Sequence, residues 1–234
     1  MNAPVLLVTG ASSGIGAATA RMAASRGRRL VLAARRADAL RGLAAELGGA
    51  SRAVAVPCDV TRAEDVDALV PAALAAFGRL DAVFANAGSF TPTSFLHGTG
   101  TPQQWRDMVL TNVLGTALVA RAALPALIAS RGHLVLTGSV AGRVVVPGQL
   151  YSATKWAVTA MAQSIRAEVT ATGVRVTLVQ PGMVDAGETS SDRLAEPRLR
   201  PEDVARAVLF ALEQPPEVDI GEIVVRPTGQ RPDR

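Results

Sequence analysis

Apolar runs along this chain alternate with stretches of helical spacing. Pro4–Thr9 (PVLLVT) is continuously apolar, as expected of a parallel strand covered on both faces. A glycine-rich turn follows, then a helical stretch, AATARMAASRG, ending at Gly27. Arg29–Ala34 (RLVLAA) reads as a second strand, 37–47 as a helix and Ala53–Pro57 as a third, short strand. Thr61 with Glu64 three residues later has the form of a capping box and opens a helix to about Phe77. Leu80–Ala85 is a fourth strand, and 89–100 is a polar loop marked by glycine and proline. A long helix is predicted over 102–130, with a kink at Pro125. His133–Thr137 is a fifth strand. The loop RVVVPGQL then leads into a helix ending near Gly173, and Val174–Gln180 is a sixth strand. Residues 183–200 are polar and irregular, the place for a lid. Pro201 opens a last helix at its first turn, and Ile220–Arg226 is a final strand. The tail, 227–234, reads as too polar to pack.

Strand and helix alternate about seven times, without repeat or linker. That predicts an α/β fold over residues 1–234, a single domain. Its sheet is doubly wound, seven-stranded and mainly parallel, with helices on both faces. Ligands of such sheets bind beyond the C-terminal ends of the strands. Gly10–Gly16, Arg35, Asp59, Asn86–Gly88, Ser139 and Pro181-Gly182 all follow strands, so they are expected in one crevice.

Composition narrows the class. Of 234 residues, 49% are apolar and 19% charged; about 25% charged is usual, so some surface is expected to lie under other subunits. No run approaches the 18 or so apolar residues of a membrane span. The N-terminus enters a strand without a basic region or cleavage site. The single Cys58 excludes an internal disulfide and fits a cytoplasmic location. A pI of 10.4 invites a nucleic-acid reading. Net charge is only +4 and aromatics are 3%, too few for base-stacking platforms, so no nucleic-acid partner is expected.

Candidate chemistry begins with the glycines. Gly10-Ala11-Ser12-Ser13-Gly14-Ile15-Gly16 lies between a strand and a helix, the arrangement that cradles a phosphate at a helix N-terminus. A plain tight turn would also need glycines. About 20 residues on, an acidic residue would bind the 2′-hydroxyl of NAD. Ala34, Arg35 and Arg36 stand there instead, and arginine suits a 2′-phosphate. The expected cofactor is NADP(H).

Tyr151 and Lys155 are the chain's only tyrosine and only lysine, four residues apart on one helix face. Ionising a free phenol at pH 7 is uphill by about 4 kcal/mol. An ammonium about 4 Å away, at an effective dielectric near 20, offsets roughly the same amount. The pair can therefore work as a general acid/base. It is also compatible with an ordinary pair of helical neighbours; the rest of the chain decides.

Together these residues resemble the short-chain dehydrogenases/reductases of the compact, single-domain, Rossmann-type kind. The matching motifs are Thr9–Gly16 (TGASSGIG), Cys58–Val60 (CDV), Asn86–Gly88 (NAG), Asn112, Gly138–Gly142 (GSVAG), Tyr151–Lys155 (YSATK) and Pro181–Val184 (PGMV). The resemblance covers nearly all of 4–226. It implies Tyr151 as acid/base, Ser139 polarising the substrate oxygen and Lys155 binding the nicotinamide ribose while depressing the Tyr151 pKa. It implies Asn112 ordering a proton-relay water. Asp59 and Val60 would meet the adenine, while Asn86, Ala87, Gly88, Pro181, Gly182 and Val184 would line the cofactor. A homo-oligomer, tetramer or dimer, is implied too. The substrate would be a small carbonyl compound or its alcohol, in a pocket of Phe90, Phe95, His97, Val145, Gln149, Leu150 and the lid. The pattern is similar to the branch with 3-hydroxy-acid and serine dehydrogenases, and Arg143 or His97 could bind an acidic substrate. Two features depart from the family. Ala186 stands where a threonine is usual, with Thr189 the nearest substitute. The Ser139–Tyr151 spacing is one residue short.

Overall fold

The structure, a computed structural model, describes residues 3–185 and 197–231. Seven parallel strands form one sheet in the order β3-β2-β1-β4-β5-β6-β7. They are β1 (Val5–Thr9), β2 (Arg29–Ala34), β3 (Ala53–Pro57), β4 (Ala82–Ala85), β5 (His133–Thr137), β6 (Arg175–Pro181) and β7 (Glu222–Val225). The order reverses between β1 and β4, which opens a crevice at their C-terminal ends.

The apolar runs are continuous because both faces of the sheet are covered. Val5 and Leu7 of β1 pack on one side with α4 (Leu69–Phe77), α6 (Thr116–Ser130) and α7 (Leu150–Val169). Leu6 and Val8 point the other way, onto α1 (Gly14–Ser25), α2 (Ala37–Glu46) and α8 (Pro201–Leu212). Every strand but the edge strand β7 thus serves two cores, at roughly 1.5–3 kcal/mol per fully buried large aliphatic side chain.

Three local expectations are corrected. Thr61 is not a helix cap: its amide and hydroxyl both donate to Asp59 Oδ1, a local turn, and α3 (Ala63–Asp67) starts one residue later. The capping box sits instead at Thr101 and Gln104, before α5 (Pro102–Val109). The irregularity in the long helix is not at Pro125, which α6 runs through; residues 110–115 form a π-helical turn containing Asn112. Such turns often sit at functional sites. The whole stretch Pro102–Ser130 is, by length and hydropathy, apolar enough to cross a membrane. One side of it is in the core, with Met108, Asn112, Val119, Ala123 and Leu127 buried. Lastly, the tail does pack: Gln230 Oε1 accepts the Met183 amide at 3.2 Å, and a Cβ on Gly182 would lie 2.0 Å from that oxygen. Most of the expected lid, including Ala186 and Thr189, lies outside the described residues.

Candidate active site

The glycine turn after β1 is shaped by what it must approach. Gly10 has φ +66°, and a Cβ there would stand 3.0 Å from both Ala87 Cα and Asn86 Nδ2. A Cβ on Gly16 would fall 2.3 Å from Gly10 O, so only glycine lets α1 start this close to the turn. Gly14, at φ +51°, has nothing within 4 Å of such a Cβ. The N-terminus of α1 therefore faces open space. Ser13 makes no side-chain capping bond, and the first turn has no acidic residue. Backbone N–H groups left unpaired at a helix start favour an anion. Ile15 is half-buried beside them.

Next to this turn stand the arginines that end β2. Arg36 donates to Ser12 Oγ at 3.2 and 3.3 Å and to Ser12 O at 3.3 Å, so its guanidinium is folded over the turn. Arg35 is exposed, and its charge reaches Asp59. Burial pushes the Asp59 carboxyl up, but the Thr61 amide and hydroxyl, and then Arg35, outweigh it and leave it below its ordinary value. Val60 is buried, and a Cβ on Gly115 would stand 2.7 Å from it. The residues fit a dinucleotide with its phosphates on α1 and a further anion near Arg35 and Arg36.

The sequence gives Asn86 a cofactor role; the structure shows its side chain joining strands. Its Nδ2 donates to Thr9 O at 3.0 Å and its Oδ1 accepts from Thr137 Oγ1 at 3.3 Å. Thr9 Oγ1 accepts the Asn86 and Ala87 amides. The strand ends of β1, β4 and β5 are locked together there. Gly88 then passes close to the reacting groups. A Cβ on it would be 3.4 Å from Asn112 Oδ1 and 3.7 Å from Lys155 Nζ.

Asn112 is fully buried. Its amide grips Ser89 on both sides, accepting from Ser89 N at 2.8 Å and donating to Ser89 O at 2.9 Å, and Nδ2 also reaches Thr154 Oγ1 at 3.1 Å. Its own carbonyl accepts the Thr116 hydroxyl. Lys155, nearly buried, donates to Thr137 O at 2.9 Å and lies 5.7 Å from the centre of the Tyr151 ring. Ser139 Oγ accepts the Ala141 amide at 3.1 Å and lies 3.5 Å from Pro181 O. It also hydrogen-bonds the Tyr151 hydroxyl. Gly142 lets α7 come near: a Cβ there would be 2.6 Å from Lys155 O. All four of Asn112, Ser139, Tyr151 and Lys155 thus meet at the ends of β4 and β5.

Electrostatics correct one expectation. The Tyr151 pKa does not fall below its ordinary value in this structure. Burial raises it, and the Ser139 hydrogen bond only partly opposes that. Burial also lowers the Lys155 ammonium to about 8. Desolvation penalises the charged form of both groups, whereas the simple Coulomb estimate counts only their attraction. The phenol is therefore held protonated at neutral pH, the state of a proton donor.

The substrate side departs from expectation at Arg143, which is paired with Glu222. His97 is exposed, its amide bonded to Ser94 Oγ. Phe90 stands edge-on to Tyr151, ring centres 5.2 Å apart. Sequence reasoning missed Thr93. Its hydroxyl donates to Gly148 O at 2.9 Å and accepts the Leu150 amide at 2.8 Å, so it caps the Tyr151 helix from a loop more than fifty residues away. Nothing in the local sequence signals such a contact. Gln149 and Leu150 are half-buried beside it. Pro181 and Gly182 lie at the end of β6, and Val184 pairs with Leu199.

The chain and its fold are similar to those of known proteins. The chain is 41% identical over 226 residues to an uncharacterized oxidoreductase of Staphylococcus aureus (strain MRSA252), covering 95% of this chain and 96% of that one. An alcohol dehydrogenase from the archaeon Thermococcus sibiricus, solved with 5-hydroxy-NADP, superposes with a TM-score of 0.90. It is 32% identical and covers 99% of both chains. A short chain dehydrogenase/reductase from Burkholderia phymatum, solved with NAD, gives 0.83 at 28% identity, covering 95% of this chain and 89% of that one. The family model for short chain dehydrogenase matches residues 4–197, and with its seven-stranded parallel sheet the chain belongs to that family of oxidoreductases.

Proposed function

We propose that the protein is an NADP(H)-dependent oxidoreductase that interconverts a small carbonyl compound and its alcohol, with Tyr151 as the acid/base. The observation that carries this reading is the meeting of a protonated Tyr151 phenol, the Ser139 hydroxyl and the Lys155 ammonium beside Gly88. A bound reduced nicotinamide supplies a hydride to the carbonyl carbon. Ser139 and Tyr151 hold the substrate oxygen between them. The Tyr151 hydroxyl gives it the proton as the carbonyl π bond breaks, and the Lys155 charge stabilises the phenolate left behind. Asn112 fixes Ser89, and through it the backbone path at Gly88. In the reverse direction Tyr151 takes the proton back. A cofactor-binding regulator of the same fold, without turnover, is the other reading; four assembled reactive side chains argue against it.

The NADP(H) preference rests on the end of β2. Ala34 leaves no carboxylate to bind an adenosine 2′-hydroxyl or repel a 2′-phosphate, while Arg35 is exposed and Arg36 is already bonded to Ser12. Charge-assisted bonds of this kind contribute roughly 1.5–3 kcal/mol each, or about one to two decades of preference for NADPH over NADH. Measuring kcat/KM for both cofactors in wild type and in Ala34→Asp/Arg35→Ala tests it. We expect the wild type to prefer NADPH and the double variant to lose or reverse that preference. A wild type that prefers NADH overturns it.

A further inference from the structure

The two loops that frame Tyr151 carry almost no charge. Residues 86–105 contain no Asp, Glu, Lys or Arg, and neither do residues 144–154. The loops are laced together at Thr93, through Gly148 O and the Leu150 amide. What they present is largely apolar: Phe90, Phe95, Leu96 and Val145 are all substantially exposed, with His97 the titratable side chain among them. Phe90 continues the wall from the Tyr151 ring itself. Arg143, which precedes the second loop, is turned onto Glu222 of β7, which also receives Gln180, while Arg106, which follows the first, lies in α5. The first charged residue after the Pro181–Val184 turn is Asp185, a carboxylate.

We infer that the site takes a neutral carbonyl compound bearing an apolar group, aryl or branched alkyl, rather than a keto acid. Among the described residues, these two loops offer a carboxylate no Lys or Arg side chain in return for its lost hydration, which is costly. An aryl or alkyl group would cover Phe90 and its neighbours and be favoured by the area it removes from water. The inference rests on the reading of Tyr151 as proton donor to a bound carbonyl.

Acetophenone and phenylglyoxylate make a matched pair, the second replacing a methyl by a carboxylate. Their reduction by wild type and Phe90→Ala is to be followed with NADPH and with NADH. Direct binding of both compounds to the protein–NADPH complex is measured by calorimetry. We expect kcat/KM for acetophenone to exceed that for phenylglyoxylate by at least about tenfold, in line with a pocket that discriminates by unpaired polar groups. Phe90→Ala should raise KM for acetophenone about three- to tenfold, with the NADPH Kd unchanged. A preference for phenylglyoxylate, or a Phe90→Ala variant with unaltered KM, overturns the inference. If neither compound is turned over, the reading of Tyr151 fails separately and binding decides this one. Tighter binding of acetophenone then supports it, and tighter binding of phenylglyoxylate sinks it.

Discussion

Two buried basic side chains show how differently one physical cost can be used. Lys155 is driven down to about 8 by burial and stands beside Tyr151 in the candidate site. His133, at the start of β5 on the far side of the sheet, is lowered to about 3 by burial and then by the charges of Arg175 and Arg28. Thr177 donates its hydroxyl proton to Ile220 O, so it can only accept from His133, and Nε2 carries the imidazole proton. Nδ1 is buried without a hydrogen-bond partner. The folded chain thus refuses a proton that the unfolded chain accepts near pH 6.5. Stability is whole above about 6.5 and is lost as pH falls toward 3, by up to about 1.4 kcal/mol per pH unit. Urea unfolding at pH 7, 6 and 5, above most carboxylate titration, should show this slope in wild type and a flatter one in His133→Gln. Equal slopes would mean that His133 is not the group responsible.

Among elements, the contact between the turn after β5 and α7 sets how the candidate residues Ser139, Tyr151 and Lys155 stand relative to one another. Ser152 Oγ lies 2.5 Å from Ala141 O and 3.0 Å from Val144 O, its one proton available to either, and Thr159 Oγ1 reaches Gly142 O at 3.3 Å. Gly142 is the point of closest approach, and its missing Cβ leaves room for Lys155 O. Gly142→Ala would push α7 outward, carrying Tyr151 and Lys155 away from Ser139. Overpacking of this sort costs about 1–3 kcal/mol, and displacements near 1 Å can cost about 100-fold in rate. We expect turnover to fall far more than the thermal midpoint, because the shift falls on the reacting groups. A variant with full activity would contradict the account. The sequence shows these elements clearly because each is a run with its own period. It does not show what joins them. The Thr93 cap on α7, the Asn86 bond to Thr137 and the Gln230 contact with Met183 each span tens of residues. The π turn at Asn112 likewise has no local period of its own. The site was legible through motifs that stand at strand ends, whereas the direction of the Tyr151 pKa was not, because desolvation depends on burial that spacing does not reveal.

The whole molecule carries a surface that a lone chain explains poorly. Leu74, Val109, Leu114 and Ile128 are exposed on or beside the long helical stretch 102–130. Phe210, Val218 and Val224 are exposed on or near α8 and β7, the sheet's last strand. With so few charged residues in the chain, these faces suit contact with further copies, and we propose a homo-oligomer, dimer or tetramer. Light scattering at micromolar concentration should report a multiple of 24.1 kDa; a monomer would refute this. The proposed reaction turns on the Tyr151 phenol, whose pKa burial raises. The most direct test compares NADPH oxidation by wild type and Tyr151→Phe on a substrate the wild type reduces, with NADPH binding measured alongside. We expect a loss of at least about 100-fold in kcat, the scale of general acid/base catalysis, with NADPH still bound. A Tyr151→Phe variant that turns over near the wild-type rate would contradict it.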